Sequence, residues 1–118
     1  MPSGKTDRIQ PRLRVVRDED IAIGPGKAEL LEMIAVTGSI AAAGRAMGMS
    51  YKRAWLLVET MNDCFRSPLV VASRGGSGKG GAELTDTGKS ALAAYRRLLA
   101  KIETSDDMTA IRKLAKSR

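Results

Sequence analysis

Four consecutive residues, Ser50-Tyr51-Lys52-Arg53, place two hydroxyls and two positive charges at the start of a helical stretch. These residue types suit contact with a nucleic-acid backbone and with base edges, and a helix N-terminus itself favours phosphate. Tyr51 and Trp55 lie on the flank of the apolar stripe of the same helix, where each is expected to be half buried with its polar end exposed. A second candidate is the stretch Ser73 to Gly81, which holds five glycines together with Arg74 and Lys79. Unhindered backbone amides in such a run can cradle an anion. The Walker pattern fails, because Gly80 rather than Ser or Thr follows Lys79 and Ser73 stands where the first glycine is required. A basic hairpin loop lying along a phosphate backbone fits better, with Arg74 and Lys79 as its contacts; the plain alternative is a flexible loop.

The chemistry open to other residues is narrow. Histidine is absent and Cys64 is the single cysteine, which removes nearly all metal-site, Ser-His-Asp and Cys-His chemistry and any intrachain disulfide. Cys64 is expected to be a small buried residue without a role. The composition argues against an enzyme, and no cofactor is expected in this chain.

At 118 residues the chain is the size of one domain. Its formal charge of +7 favours polyanionic partners, double-stranded DNA first among them. The charge is placed rather than spread: residues 1–17 carry a net +4, residues 18–38 a net −4 and residues 39–79 a net +4. No long apolar run and no basic-then-apolar leader occurs, so no membrane association and a cytoplasmic, nucleoid-associated location are expected.

The elements that must position these residues can be read from periodicity. Residues 1–11 read as a flexible basic tail. Leu13, Val15 and Val16, then an acidic turn, then Ile21 and Ile23 predict a small hairpin or extended edge. Pro25 suits a first helical position, and Leu30, Leu31, Ile34 and Ala35 recur at helical spacing before Gly38. Ser39 caps a short second helix carrying Ile40, Ala43 and Met47, ended by Gly48; Ser50 caps a third, over 50–65, with Ala54, Leu57, Val58, Met61 and Phe65 in one stripe. Two helices joined by the tight Gly48-Met49 turn, the first rich in alanine, have the form of a helix-turn-helix whose second helix enters the major groove. Glu59 and Asp63 toward the far end of that helix would repel phosphate, so only its first two turns should touch DNA. Strands at 69–72 and 82–84 flank the glycine loop, and Thr85 caps a last long helix. Gly88, Leu92, Tyr95, Leu99 and Ile102 alternate along it at heptad spacing. We expect Leu92, Tyr95, Leu99 and Ile102 to form a dimer seam; the alternative is packing on the helix's own domain. Residues 105–118 read as a basic C-terminal tail able to form a short helix.

The motifs Gly24-Pro-Gly-Lys, Thr37-Gly-Ser-Ile-Ala-Ala-Ala, Gly48-Met-Ser-Tyr-Lys-Arg-Ala-Trp, Met61-Asn, Pro68-Leu-Val, Gly80-Gly-Ala-Glu-Leu-Thr and Gly88 resemble the N-terminal domain of the ModE family of molybdate-responsive bacterial regulators. That domain is similar to the winged helix-turn-helix of LysR-type regulators, and the resemblance covers roughly residues 12–103. It implies a mostly helical fold with a small β component, a long C-terminal dimerisation helix and binding of operator DNA as a homodimer. By motif match it assigns recognition to Ser50, Tyr51, Lys52, Arg53 and Trp55 and the wing to the stretch from Arg74 to Thr85. Ser39 and Arg45 on the preceding helix complete the expected DNA-contacting set. The family's molybdate-binding C-terminal domains have no counterpart up to Arg118, so the signal is expected to come from a separate molybdate-sensing protein. The competing expectation is a protein-binding winged helix that recruits a separate ligand-sensing regulator.

Overall fold

The computed structural model describes residues 8–73 and 80–116. Strands β1 (Val15–Arg17) and β2 (Asp20–Ile23) pair antiparallel, with Val16 opposite Ile21 and Arg17 opposite Asp20. Three helices follow: α1 (Pro25–Thr37), α2 (Ile40–Ala46) and α3 (Tyr51–Cys64). A second antiparallel pair, β3 (Val70–Ala72) with β4 (Ala82–Leu84), precedes α4 (Asp86–Glu103) and α5 (Asp106–Leu114).

Local chemistry explains the helix boundaries. Pro25 opens α1, and Gly38, in the left-handed conformation at φ 73°, ends it. The hydroxyls of Ser39, Ser50, Thr85 and Ser105 each accept a backbone N–H in the first turn of α2, α3, α4 and α5, satisfying donors that the helix leaves unpaired. Helix α3 stops at Cys64, one residue before the boundary its apolar stripe implies, because Phe65 turns to extended backbone while keeping its ring against the core.

The core lies around α1. Leu30, Leu31 and Ile34 are fully buried and meet Ala43 of α2, Ala54 and Met61 of α3 and Leu69 beside β3. Burial of each large aliphatic side chain contributes about 1.5–3 kcal/mol. Ala35, counted in the α1 stripe from its spacing, is exposed.

Two contacts fix the long helix α4. At Gly88 a Cβ would stand 2.2 Å from the carbonyl oxygen of Leu69, so only glycine lets α4 approach that backbone. The Asn62 side chain holds the same stretch from the other side: its Oδ1 accepts the N–H of Leu69 at 2.8 Å, and its Nδ2 donates to the Val70 carbonyl at 3.1 Å.

The second contact corrects the expected dimer seam. Leu92 and Tyr95 are buried in the chain's own core, and the Tyr95 hydroxyl donates to the carbonyl of Leu13 at 2.8 Å. Leu99 packs partly against the same core and Ile102 is half buried. The N-terminal half of the heptad stripe therefore faces the domain itself, because the extended segment ahead of β1 lies over α4 and accepts its tyrosine. Helix α5 is tied down similarly: Met108 is buried, Arg112 pairs with Glu103, and its Nε donates to the Ile9 carbonyl at 3.0 Å.

Gly88→Ala is expected to cost about 3 kcal/mol, the upper end of ordinary overpacking, and to lower Tm by on the order of 10 °C. Ser90→Ala on the exposed face of the same helix should leave the melt unchanged; thermal denaturation of both variants tests the contact. A second expectation concerns Tyr95, whose hydroxyl is held above its usual pKa by burial, with Arg12 and Arg14 pulling it the other way. A raised folded-state pKa contributes stability that is complete below the unfolded value of about 10 and is lost as pH climbs through the folded value. Tyr95→Phe should cost about 0.5–1.5 kcal/mol near neutral pH, and the gap to wild type should narrow above pH about 10. Denaturant unfolding across that range would expose an unchanging gap and so contradict the assignment.

Candidate nucleic-acid interface

Helices α2 and α3 cross closely because Gly44 faces Ala54. A Cβ on Gly44 would lie 3.0 Å from that of Ala54, and the Met49 N–H donates to the Gly44 carbonyl at 2.9 Å, closing the turn between the helices. Ala54, Val58 and Met61 pin α3 to the core. The opposite face is thereby presented outward, with Tyr51 56%, Trp55 41% and Leu56 48% exposed.

The first turns of α3 line an open groove built from Ser50, Lys52, Arg53, Leu56, Leu57 and Thr60. Among the described residues it contains two cations and no carboxylate. The hydroxyl of Ser50 accepts the Arg53 N–H at 3.1 Å, so the cap that starts the helix also fixes where the Lys52 and Arg53 side chains leave the backbone. Glu59 and Asp63 are exposed farther along α3 and do not line the groove. Tyr51 and Trp55 are thus each about half buried, in keeping with their place on the flank of the apolar stripe.

The remaining expected contacts are placed differently. Arg45 is exposed in the last turn of α2. The Ser39 hydroxyl caps α2 by accepting the Ala42 N–H at 3.0 Å. Thr85 lies at the base of the β3–β4 pair with its hydroxyl already engaged, donating to the Pro68 carbonyl at 2.7 Å and accepting the Gly88 N–H at 2.9 Å. In the structure it joins β4 to α4. The wing residues Arg74 and Lys79 lie outside the described residues. The base of that hairpin is well defined: Val70 pairs with Leu84, Ala72 with Ala82, and the Ser73 N–H donates to the Gly81 carbonyl at 2.9 Å.

Sequence reasoning missed a further set of cations. Arg12 and Arg14, exposed on the extended segment and placed there by the Tyr95–Leu13 hydrogen bond, line a second groove together with Arg53. The signal was present as the net +4 of residues 1–17, but nothing in periodicity places that segment beside α3.

No family model matches the chain. Among curated proteins it is 47% identical to the molybdenum-pterin-binding protein MopB of Rhodobacter capsulatus over 73 residues, 62% of this chain and 27% of that protein. Against the molybdenum transport protein ModE of Azotobacter vinelandii it is 37% identical over 100 residues, 85% of this chain and 37% of that one. The DNA-binding transcriptional dual regulator ModE of Escherichia coli K12 is 40% identical over 79 residues, 67% of this chain and 30% of the regulator. Among solved structures, the CbnR_DBD–DNA complex superimposes with a TM-score of 0.56 at 22% identity, covering 73% of this chain and 93% of that one. The chain spans about a third of the length of the curated relatives it matches. With the two-hairpin, helix-turn-helix architecture already described, these matches identify the chain as a ModE and Mop homologue with a winged helix-turn-helix fold.

Proposed function

We propose that the chain is a sequence-specific DNA-binding transcription regulator of the ModE type, with α3 entering the major groove and the glycine-rich wing, including Arg74 and Lys79, lying along the adjacent backbone. The observation that carries this reading is the carboxylate-free groove at the start of α3, where Ser50, Lys52 and Arg53 are presented outward by the Gly44–Ala54 crossing. Cations there can donate to guanine edges or to phosphate, and Tyr51 and Trp55 extend the contact surface. The regulatory names of the ModE relatives and the DNA complex of the structural neighbour favour the same reading. We assign the chain a binding role with no catalytic residue and no cofactor, a cytoplasmic location and a place in molybdate-linked regulation. No helix of the described residues is long and apolar enough to cross a membrane.

The active form in this proposal is a two-fold dimer. Leu92 and Tyr95 face inward, so the seam is assigned to the outer stripe of α4, where Ala94, Leu98 and Ile102 follow one another at steps of four and Leu98 is 43% exposed. A second reading, a protein-binding winged helix, is favoured by one observation: Tyr51, Trp55 and Leu56 form an exposed apolar surface on α3 itself.

Lys52→Ala and Arg53→Ala are each expected to weaken specific binding by about 1–3 kcal/mol for every base contact removed. Both side chains are exposed, so melting should not change. The check is a gel shift on DNA from upstream of the gene, with mixed-sequence duplex as competitor; unaltered affinity in both variants, or no retardation of wild type at low salt, would favour the protein-binding reading. For the dimer, sedimentation should show a wild-type dimer and a Leu98→Lys monomer that remains folded by circular dichroism, since a lysine in the seam costs several kcal/mol. A wild-type monomer at tens of micromolar, within the usual range of homodimer assembly, would remove the dimer from the proposal.

A further inference from the structure

The second cationic groove lies beside the first. It measures about 340 Å³, and its walls include Arg12 and Arg14 from the extended N-terminal segment, Lys27 from α1 and Arg53 from α3, with Ile21 and Leu57 as apolar neighbours. Among the described residues no carboxylate lines it. Arg53 and Leu57 line both grooves, so the two form one continuous surface across the start of α3.

The positions of Arg12 and Arg14 follow from packing. The Leu13 carbonyl between them accepts the Tyr95 hydroxyl at 2.8 Å, and Leu13 itself packs against the core. Both arginines are therefore anchored through their backbone while their side chains remain exposed. Neither takes part in the ion pairs found among the described residues, Arg96–Glu32 and Arg112–Glu103. Lys27 differs: its ammonium is buried and donates to the Ile21 carbonyl, and burial lowers its pKa although Cys64 and Asp20 act in the opposite sense. The groove thus has one inward cation and three outward ones, held close together with no described carboxylate among its lining residues. Such an arrangement is electrostatically costly in isolation and is relieved by a polyanion.

We propose that Arg12 and Arg14 bind the DNA backbone next to the segment read by α3, adding sequence-independent phosphate contacts on the side of the helix where the N-terminal segment lies. This rests on the DNA-binding reading above and adds to it a contact from outside the helix-turn-helix and the wing. Arginine suits the task because its planar fork matches phosphate oxygens and keeps its charge at every physiological pH. The Tyr95 hydrogen bond becomes a positioning device for this contact.

The test uses fluorescence anisotropy with a labelled mixed-sequence duplex, titrated between 50 and 200 mM salt. It compares wild type, Arg12→Gln/Arg14→Gln and Arg17→Gln; Arg17 is an exposed cation of β1 that does not line the groove. Glutamine keeps most of the aliphatic stem, and unchanged circular-dichroism melts confirm folding. The double variant should bind more weakly, with a salt slope shallower by about 0.9 for each phosphate it no longer neutralises. Its deficit relative to wild type should then shrink by about 3.5-fold per such phosphate over that salt range. Arg17→Gln should match wild type. A double variant with the wild-type slope, or an equal effect from Arg17→Gln, would overturn the groove assignment while leaving DNA binding intact. Failure of the wild type to bind any duplex at 50 mM salt would instead overturn the DNA-binding reading, and this contact with it.

Discussion

The carbonyl of Leu69 lies where three parts of the chain meet, and the rest of the architecture depends on how closely they can approach. Gly88 leaves room for α4 at a distance no side chain would allow, while the Thr85 N–H donates to that same oxygen at 2.9 Å. From α3, Asn62 holds the amides of Leu69 and Val70. One short segment thus joins the helix that carries the cationic face, the hairpin that leads to the wing and the long helix behind them. The Leu69 side chain, fully buried, adds an apolar anchor to the polar ones. Because the backbone groups here are engaged by partners from different elements, displacement of any one of them would leave buried polar groups unpaired, which is what makes the junction rigid.

A second tie, from Tyr95 to Leu13, has a different consequence. It is a single hydrogen bond spanning 82 positions of sequence, and it brings the segment around Leu13 across α4 toward the start of α3. The inner face of α4 is thereby occupied by its own domain, and the outer face, with Ala94, Leu98 and Ile102, is left to other contacts. The apolar residues of α4 are thus spread wider than the one stripe its own domain covers.

The charge distribution acquires meaning only through these ties. The net −4 of residues 18–38 includes the exposed turn of the first hairpin and the outer face of α1, where Glu32 pairs with Arg96. The cations of the N-terminal segment and of α3 are brought together around Arg53, with no carboxylate among the described residues of either groove. In a chain of formal charge +7, the fold brings Arg12, Arg14, Lys52 and Arg53 onto the face that α3 presents.

Much of the local structure was legible in the residues themselves. The caps Ser39, Ser50 and Thr85, the stops at Gly38 and Gly48 and the stripe of Ala54, Val58 and Met61 place four helices because these signals act over a single turn. The cationic start of α3 was legible for the same reason. What spacing could not determine was which partner each apolar stripe meets: Leu92 and Tyr95 have the heptad pattern of an intersubunit seam, yet they lie in the core because the segment around Leu13 covers them. Nor could spacing show that the Thr85 hydroxyl is engaged by Pro68, or that Arg12 and Arg14 stand beside Arg53. Sequence determined the elements and the identity of the charged residues, since capping, periodicity and turn chemistry are local. Tertiary structure decided which faces are buried and which cations share a surface, since those follow from contacts between residues far apart in the chain.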